Sequence, residues 1–294
     1  MYIDSNYIYL MLIIIGLCLG SFAGASVWRL RAGQLVQDKL DGEEVDDKEY
    51  KKLKKLTKKS ISNDRSRCLD CGYLLKWYDL IPLFSWIFLG GRCRKCRAKI
   101  GWMEPLIETA MATFFVLSYM FWPYPLTGVL EVSRLIIWLI AGIPLAILFV
   151  YDAKWSLLDL NLNLAVILLG LLSAITVIIG LPNKPDAIVT ICGAVLILSG
   201  LYYIIYKISD GKFVGGGDPS LCLGLALLIA DWKLAFIALF AANLIGCIIV
   251  IPSVLSKKLS MKSPVPLGPL LIIGSIIAVL AGNFIINTFF FTIT

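Results

Sequence analysis

The stretch LIIWLIAGIPLAILFV at residues 135–150 decides the fold class. It contains no Asp, Glu, Lys or Arg, and Tyr151 and Asp152 follow it directly. A helix needs about 20 predominantly apolar residues to span the hydrocarbon core of a bilayer. With its flanking residues, this stretch is long enough. It therefore predicts a membrane-spanning helix that ends at an acidic residue.

The rest of the chain repeats this pattern. Of its 294 residues, 59% are hydrophobic and only 16% are charged, whereas soluble domains are about 45–50% apolar and about 25% charged. We predict an all-α polytopic membrane protein with about eight spans. They lie near 7–27, 106–123, 129–150, 160–181, 187–206, 218–232, 234–254 and 268–290. The sixth span is the weakest, because Pro219 and Asp231 bracket a short run, and seven spans is the alternative count.

The distribution of basic residues predicts the orientation. Two thirds of the 27 Lys and Arg residues lie between residues 28 and 100, which places that segment in the cytosol by the positive-inside rule. The N-terminus is then outside. Alternation of sides puts further lysines in the cytosol, namely Lys154, Lys207, Lys212, Lys257, Lys258 and Lys262. The first span is read as a retained helix, because Arg29 and Arg31 follow it and no basic residue precedes it.

Residues 28–101 form the one large polar insertion. Its first half mixes acidic residues with basic runs that include Lys51, Lys52, Lys58 and Lys59. Such a mixture is typical of a solvated helix or linker. No basic patch interleaved with aromatic residues is present, so we expect no nucleic-acid partner.

The second half of the insertion contains Cys68-Leu-Asp-Cys71 and Cys93-Arg-Lys-Cys96. Two Cys-x-x-Cys pairs can close a tetrahedral thiolate site, so Cys68, Cys71, Cys93 and Cys96 are predicted to bind Zn²⁺. Four cysteines leave no open coordination position, so the metal is expected to be structural. Two disulfides are the alternative, which a cytosolic location disfavours. Iron is a further alternative metal for a tetrahedral thiolate site.

The chain contains no histidine. This excludes Ser-His and Cys-His nucleophiles and His-ligated metalloprotease sites, and it leaves mainly carboxylates for catalysis. Asp152 ends one apolar run, and Asp218 follows Gly215, Gly216 and Gly217 at the start of another. Both are predicted at the cytosolic rim. Two neighbouring aspartates share one proton, so one activates water while the other donates to a scissile carbonyl.

Other interpretations of these residues remain open at this point. Asp218 followed by Pro219 is also typical of a helix start, with Asp218 as the N-cap and Pro219 at the first helical position. Asp152 is also consistent with an ordinary helix end. Asp159 lies seven residues after Asp152 and is an alternative to it as the catalytic partner of Asp218. Glycines at 215–217 let backbone approach a substrate strand, but they are equally consistent with a hinge.

Several motifs together resemble the prepilin leader peptidases, which are bifunctional peptidase/N-methyltransferases. The resemblance covers nearly the whole chain. It includes Gly20-Ser21-Phe22, the cysteine pairs flanking Trp77-Tyr78-Asp79 and Ser85-Trp86, Pro105-x-x-Glu108, Asp152, Gly215-Gly216-Gly217-Asp218, and Val265-Pro266-Leu267-Gly268-Pro269.

This resemblance implies a function. Asp152 and Asp218 match the family's two catalytic aspartates. The segment Gly215–Asp218 matches the family's Gly-x-Gly-Asp motif. The transmembrane core is then expected to remove the short basic leader of type IV prepilins or pseudopilins at the cytosolic face of the bacterial inner membrane. The insertion, with S-adenosylmethionine, is expected to methylate the new N-terminus. No residue is assigned to that cofactor.

The predicted domains are a first helix at 1–27, a zinc-binding region at 28–101 and a peptidase core at 102–294. Two other functions are alternatives to this one. An ion transporter with a broken helix at the glycines predicts internal repeats, which the sequence does not show. A methyltransferase with an inactive core is disfavoured because Asp152 and Asp218 are both present.

Overall fold

The computed structural model describes residues 5–57, 65–256 and 265–289. All of the regular elements in these three ranges are helical, and the extended backbone there is limited to isolated bridges between Arg67 and Leu74 and between Arg92 and Lys99. Five of the lysines named above lie outside the described residues, namely Lys58, Lys59, Lys257, Lys258 and Lys262. The prediction of an all-α fold is confirmed.

The chain divides into two compact units, Met1–Val116 and Leu117–Thr294. The first contains α1 (Ser5–Leu40), α2 (Asp47–Leu53), α3 (Phe84–Phe88) and most of α4 (Met103–Met120), with short 3₁₀ turns at Lys54–Leu56 and Trp77–Asp79. The predicted domain boundaries at 27/28 and 101/102 stay predictions.

Helix α1 continues well past residue 27, where its apolar run ends. Its extension is amphipathic, since Ala32 and Leu35 are buried against Leu53 of α2. Arg31 also pairs with Glu49 of α2 at 2.9 Å. Part of the charged segment, predicted as a solvated helix or linker, is therefore a helix packed back onto α1.

Glycines bring α1 and α4 together within the first unit. A Cβ added at Gly16 or Gly20 would lie 2.6 Å from the Cα of Ala112 or Glu108, respectively. Small residues at this spacing let helix backbones approach closely in a membrane. Gly20 of the Gly-Ser-Phe motif therefore packs directly against α4.

The second unit is a helical bundle. It contains α5 (Val129–Trp155), α6 (Leu160–Gly180), α7 (Lys184–Val195), a π-helical turn (Leu196–Gly200), α8 (Leu201–Ser209), α9 (Asp218–Ile229), α10 (Trp232–Leu255) and α11 (Leu267–Phe289). The segment Lys184–Ser209 runs as one helix through the π turn.

By length and composition, 6 helices of the described ranges can cross a membrane: α1, α5, α6, the α7–α8 helix, α10 and α11. The other two predicted spans correspond to α4 and α9. With 12 residues, α9 is about 18 Å long, shorter than a hydrocarbon core of about 30 Å. The chain is thus a multi-pass membrane protein with one short apolar helix in its second unit.

The surroundings of α9 explain why it can be short. Most of its side chains are buried, and Gly224 meets α6 so closely that a Cβ there would lie 2.7 Å from Val166. At its C-terminus, the Arg134 guanidinium of α5 donates to the carbonyl of Ile229 at 3.0 Å. Helix α9 is therefore a core element whose last turn is capped by a charged side chain.

Candidate active site and metal centre

Asp152 lies in the last turn of α5, and its side chain is buried. The helix ends just after it, where Ser156 adopts a left-handed conformation and donates its N–H to the carbonyl of Asp152. The Asp152 Oδ2 atom accepts a hydrogen bond of 2.8 Å from the backbone N–H of Gly268. Gly268 stands in the first turn of α11, where N–H groups lack partners within the helix.

Asp218 is the first residue of α9 and is also buried. Its Oδ2 atom accepts the backbone N–H of Gly215 at 2.9 Å. Asp218 therefore does not act as the N-cap, a position that Gly217 occupies. The loop that follows Asp152 packs against the turn before Asp218, because a Cβ at Gly217 would lie 2.7 Å from the Cβ of Leu158. The fold thus brings together the two aspartates that were predicted from the sequence to form a pair.

Three other acidic residues of the second unit have structural roles. Asp159 is the N-cap of α6, and its Oδ1 atom accepts the N–H of Leu162 at 2.9 Å. Asp210 is the left-handed residue that ends α8. Asp231 caps α10 through the N–H groups of Lys233 and Leu234. Asp159 and Asp231 are therefore explained by the start of a helix and Asp210 by the end of one.

The three glycines before Asp218 differ in their surroundings. Gly215 and Gly216 are exposed, whereas Gly217 is partly buried. A Cβ at Gly217 would lie 2.7 Å from the Cβ of Leu158, but one at Gly216 would make only ordinary contact with Tyr206, at 3.6 Å. An exposed backbone therefore runs directly beside a buried carboxylate.

Asn163 of α6 is a site residue that sequence reasoning missed. It is almost fully buried, and its Nδ2 atom donates to the carbonyl of Gly217 at 3.0 Å and to Ser220 Oγ at 2.8 Å. Its Oδ1 atom is buried without a hydrogen-bond partner in the described ranges. An amide within an apolar helix is a functional signal in a membrane. That signal was available in the sequence.

The four cysteines predicted to bind zinc converge in the first unit. Their sulfur atoms all lie within 4.8 Å of one another. The Sγ atoms of Cys68 and Cys96 are 3.8 Å apart, and those of Cys71 and Cys93 are 4.0 Å apart. Zn–S bonds of about 2.3 Å in a tetrahedron place the sulfurs about 3.8 Å apart. All four are free cysteines, so the arrangement fits a zinc ion.

The two cysteine loops have the same backbone design. In the first, the N–H of Cys68 donates to the carbonyl of Tyr73, and Gly72 has a φ of 71°. In the second, the N–H of Cys93 donates to the carbonyl of Ala98, and Arg97 has a φ of 59°. Each loop thus turns through a left-handed residue directly after its second cysteine.

Backbone N–H groups point at cysteine sulfurs in both loops. Burial raises the pKa of Cys68 to about 12, against the opposing effect of the amides of Cys71 and Asp70. Burial also opposes ionisation of Cys93, but the amides of Cys96 and Lys95 and two cysteine thiols lower its pKa to about 7. Such amides stabilise thiolate ligands.

Asp79 of the Trp-Tyr-Asp motif supports the metal centre from outside. Its Oδ1 atom accepts a hydrogen bond of 2.8 Å from Arg94, which lies between the two cysteines of the second loop. Its Oδ2 atom accepts the N–H of Lys76. The motif therefore anchors the 3₁₀ turn at Trp77–Asp79 to the second cysteine loop.

Glu108 has partners within its own unit. Its Oε2 atom accepts the N–H of Leu83 at 2.7 Å, and it forms a hydrogen bond with Ser21 of α1. Leu83 has a φ of 58°, an unusual conformation for a branched side chain. Glu108 thus links α1, α4 and the turn that precedes α3.

Residues 14–122 match the family described as Bacterial Peptidase A24 N-terminal domain. Over 229 residues, the chain is 31% identical to the prepilin leader peptidase/N-methyltransferase of Aeromonas salmonicida strain A449, covering 78% of this chain and 75% of that protein. It is 28% identical over 279 residues to the Pseudomonas aeruginosa protein of the same name, covering 94% of this chain and 91% of the relative.

A Myxococcus xanthus protein of that name is also 28% identical, over 81% of this chain, but the match spans only 61% of the relative. No solved structure matches this chain. The extent of the sequence similarity shows that the chain belongs to the prepilin leader peptidase/N-methyltransferase family. The resemblance stated from the motifs is confirmed.

Proposed function

We propose that this protein is a membrane aspartic endopeptidase in which Asp152 and Asp218 form the catalytic pair. The observation that carries the proposal is the buried arrangement of these two side chains. Each accepts one backbone N–H, and the loop that follows Asp152 packs through Leu158 against Gly217, the residue before Asp218.

In the proposed mechanism, the two carboxyl groups share one proton. The ionised group removes a proton from water as the water attacks the scissile carbonyl carbon, and the protonated group donates its proton to the carbonyl oxygen. Collapse of the tetrahedral intermediate expels the amine, which takes up a proton. Because the nucleophile is water, no covalent enzyme intermediate forms. The acid and base roles belong to the pair rather than to either residue.

The proposed substrates are type IV prepilins and pseudopilins, from which the enzyme removes the basic leader. The names of the relatives support this choice, including an Escherichia coli protein described as a type 4 prepilin-like proteins leader peptide-processing enzyme. The exposed backbone of Gly215 and Gly216 is where an extended substrate is proposed to approach Asp218.

We also propose methylation of the new N-terminus, with S-adenosylmethionine as the donor, because the relatives' name includes this activity. Zn²⁺ bound by Cys68, Cys71, Cys93 and Cys96 has a structural role in the proposal. The proposed location is the bacterial inner membrane, with the N-terminus outside and both the zinc-binding region and the aspartates on the cytosolic side. The charge distribution of the sequence supports this orientation.

The test uses purified full-length protein and a synthetic prepilin, with leader release followed by mass spectrometry. Asp152→Asn and Asp218→Asn preserve side-chain size and should each abolish cleavage. Asp159→Asn is the matched control, because this aspartate caps α6, and it should retain cleavage. Cleavage that survives both Asp152→Asn and Asp218→Asn would refute the aspartic mechanism.

A further inference from the structure

Helix α3 presents large apolar side chains outward in the zinc-binding region. Phe84 is 57% exposed, Ile87 64% and Phe88 84%; together we call them the α3 patch. Exposed apolar clusters on soluble surfaces are usually contact sites for a partner or a membrane. We therefore expect a partner or a membrane to cover the α3 patch.

Aromatic stacking fixes α3 beside the start of α4. The rings of Trp86 and Trp102 lie 4.4 Å apart between centroids. The Trp86 Nε1 atom donates to the carbonyl of Gly101 at 3.2 Å. On its other side, Trp86 packs against Gly91, where a Cβ would lie 2.9 Å from its ring. Since Trp102 directly precedes α4, α3 is held at the level where that helix begins.

The residues at that level are of the types found at a membrane–water interface. The Nε1 atom of Trp28 in α1 donates to Glu104 in the first turn of α4 at 3.0 Å. In α1, the apolar run ends at Val27, and Arg29 follows Trp28. Tryptophans followed by basic residues are typical of a membrane–water interface. Trp102, only two residues before Glu104, lies at the same level and is 67% exposed.

The region around the α3 patch is strongly basic. From residue 65 to residue 99 it contains two acidic residues, Asp70 and Asp79. Both are paired with basic side chains, Lys52 and Arg94. The basic residues in this range are Arg65, Arg67, Lys76, Arg92, Arg94, Lys95, Arg97 and Lys99.

We propose that the α3 patch inserts into the interface of an anionic lipid bilayer and anchors the zinc-binding region to the membrane. Apolar and aromatic side chains with surrounding basic residues are the chemistry of an interfacial anchor. A second copy of this chain fits less well, because a symmetric contact would bring two basic regions together. The proposal is independent of the proposed peptidase activity.

The test places a photo-crosslinking phenylalanine analogue at Phe88 of the full-length protein in nanodiscs. The control places it at Leu40, which is apolar and 76% exposed. Leu40 lies at the end of α1, about 18 Å along the helix from Trp28, so it should lie outside the bilayer. Zinc content reports whether each labelled protein is folded, and Ile87 is the alternative position if the Phe88 variant does not retain zinc.

We expect the label at Phe88 to form lipid adducts several-fold more often than the label at Leu40, and more often with anionic than with zwitterionic lipid. Equal lipid labelling at the two positions would overturn the proposal. So would a Phe88 label that crosslinks to a second copy of the chain, or to an added prepilin, instead of to lipid.

Discussion

The carboxylate of Asp152 accepts a hydrogen bond from the backbone N–H of Gly268, 2.8 Å away, although the two residues are 116 positions apart in the chain. The same glycine leaves no room for a side chain, because a Cβ there would lie 2.8 Å from the Asp152 Oδ2 atom. The start of α11 therefore both orients Asp152 and limits how it can move.

Replacing Gly268 with alanine should displace the Asp152 carboxylate. Because small misplacements of reacting groups are costly, we expect kcat for prepilin cleavage to fall by about tenfold to a hundredfold. Single-turnover cleavage by purified protein is the measurement. Gly246→Ala is the control, since its Cβ would meet only the movable end of Leu270. Unchanged cleavage by Gly268→Ala would contradict this role for the glycine.

The glycines before Asp218 should not be equally replaceable. Gly217→Ala places its Cβ 2.7 Å from the Cβ of Leu158, so the backbone before Asp218 must shift and activity should fall by about tenfold or more. Gly216→Ala makes ordinary contact with Tyr206, so it should retain nearly full activity. Cleavage rates of the two variants at equal folded concentration check this difference. The opposite order would show that the turn around Asp218 is arranged differently.

Asn163 should matter for activity beyond its contribution to stability. In Asn163→Ala, the carbonyl of Gly217 loses its amide partner, so we expect kcat to fall by about tenfold, with KM little changed. Ser173→Ala is the matched control, because Ser173 lies on the same helix and bonds to the other end of α9, at Leu228. It should lower thermal stability without a selective loss of kcat. A similar kcat for both variants would mean that Asn163 only supports packing.

The parts of this fold that were predicted from sequence are those with strong local chemical signals. Long apolar runs indicated the membrane helices, and paired Cys-x-x-Cys motifs indicated the metal centre. Asp152 and Asp218 stood out because ionisable residues at the ends of apolar runs are costly. Their approach in space agrees with that selection, while their catalytic role stays a prediction.

The contacts that were missed depend on tertiary structure. Nothing local indicates that Gly268 donates to Asp152, because the bond forms only when α11 packs beside α5. Asn163 was passed over within an apolar run, although its burial follows from the close contact of α6 with α9. The short length of α9 was indicated by Pro219 and Asp231, which bracket its apolar run. Its cap was not indicated, because Arg134 belongs to another helix.

Arg134 should stabilise the second unit by capping α9. Its guanidinium donates to the carbonyl of Ile229 and lies over the ring of Tyr124 at 4.0 Å. Arg134→Met leaves that carbonyl without its charged donor, so we expect a loss of about 1–3 kcal/mol in the free energy of unfolding. Thermal unfolding in detergent measures the effect, with the exposed Lys233→Met as control. An unchanged melting temperature would show that the carbonyl finds another donor.

Zinc removal should unfold the cysteine region, because its two loops contain little other regular structure to hold them. The sulfurs of Cys68 and Cys96 approach to 3.8 Å, the spacing of ligands around tetrahedral zinc. In small zinc sites, the free energy of metal binding is largely the free energy of folding. We therefore expect Cys96→Ser to lower bound zinc well below one ion per chain and to expose the segment from residue 65 to residue 101 to limited proteolysis.

Cys18→Ser is the matched control for this prediction, since Cys18 lies singly on α1 and should not affect zinc content or protease resistance. A chelator added to the unmodified protein should reproduce the Cys96→Ser cleavage pattern, and added Zn²⁺ should restore resistance. If chelated protein remained as resistant as the zinc-loaded form, the loops would be held by their backbone hydrogen bonds and by the pairing of Arg94 with Asp79 instead of by the metal.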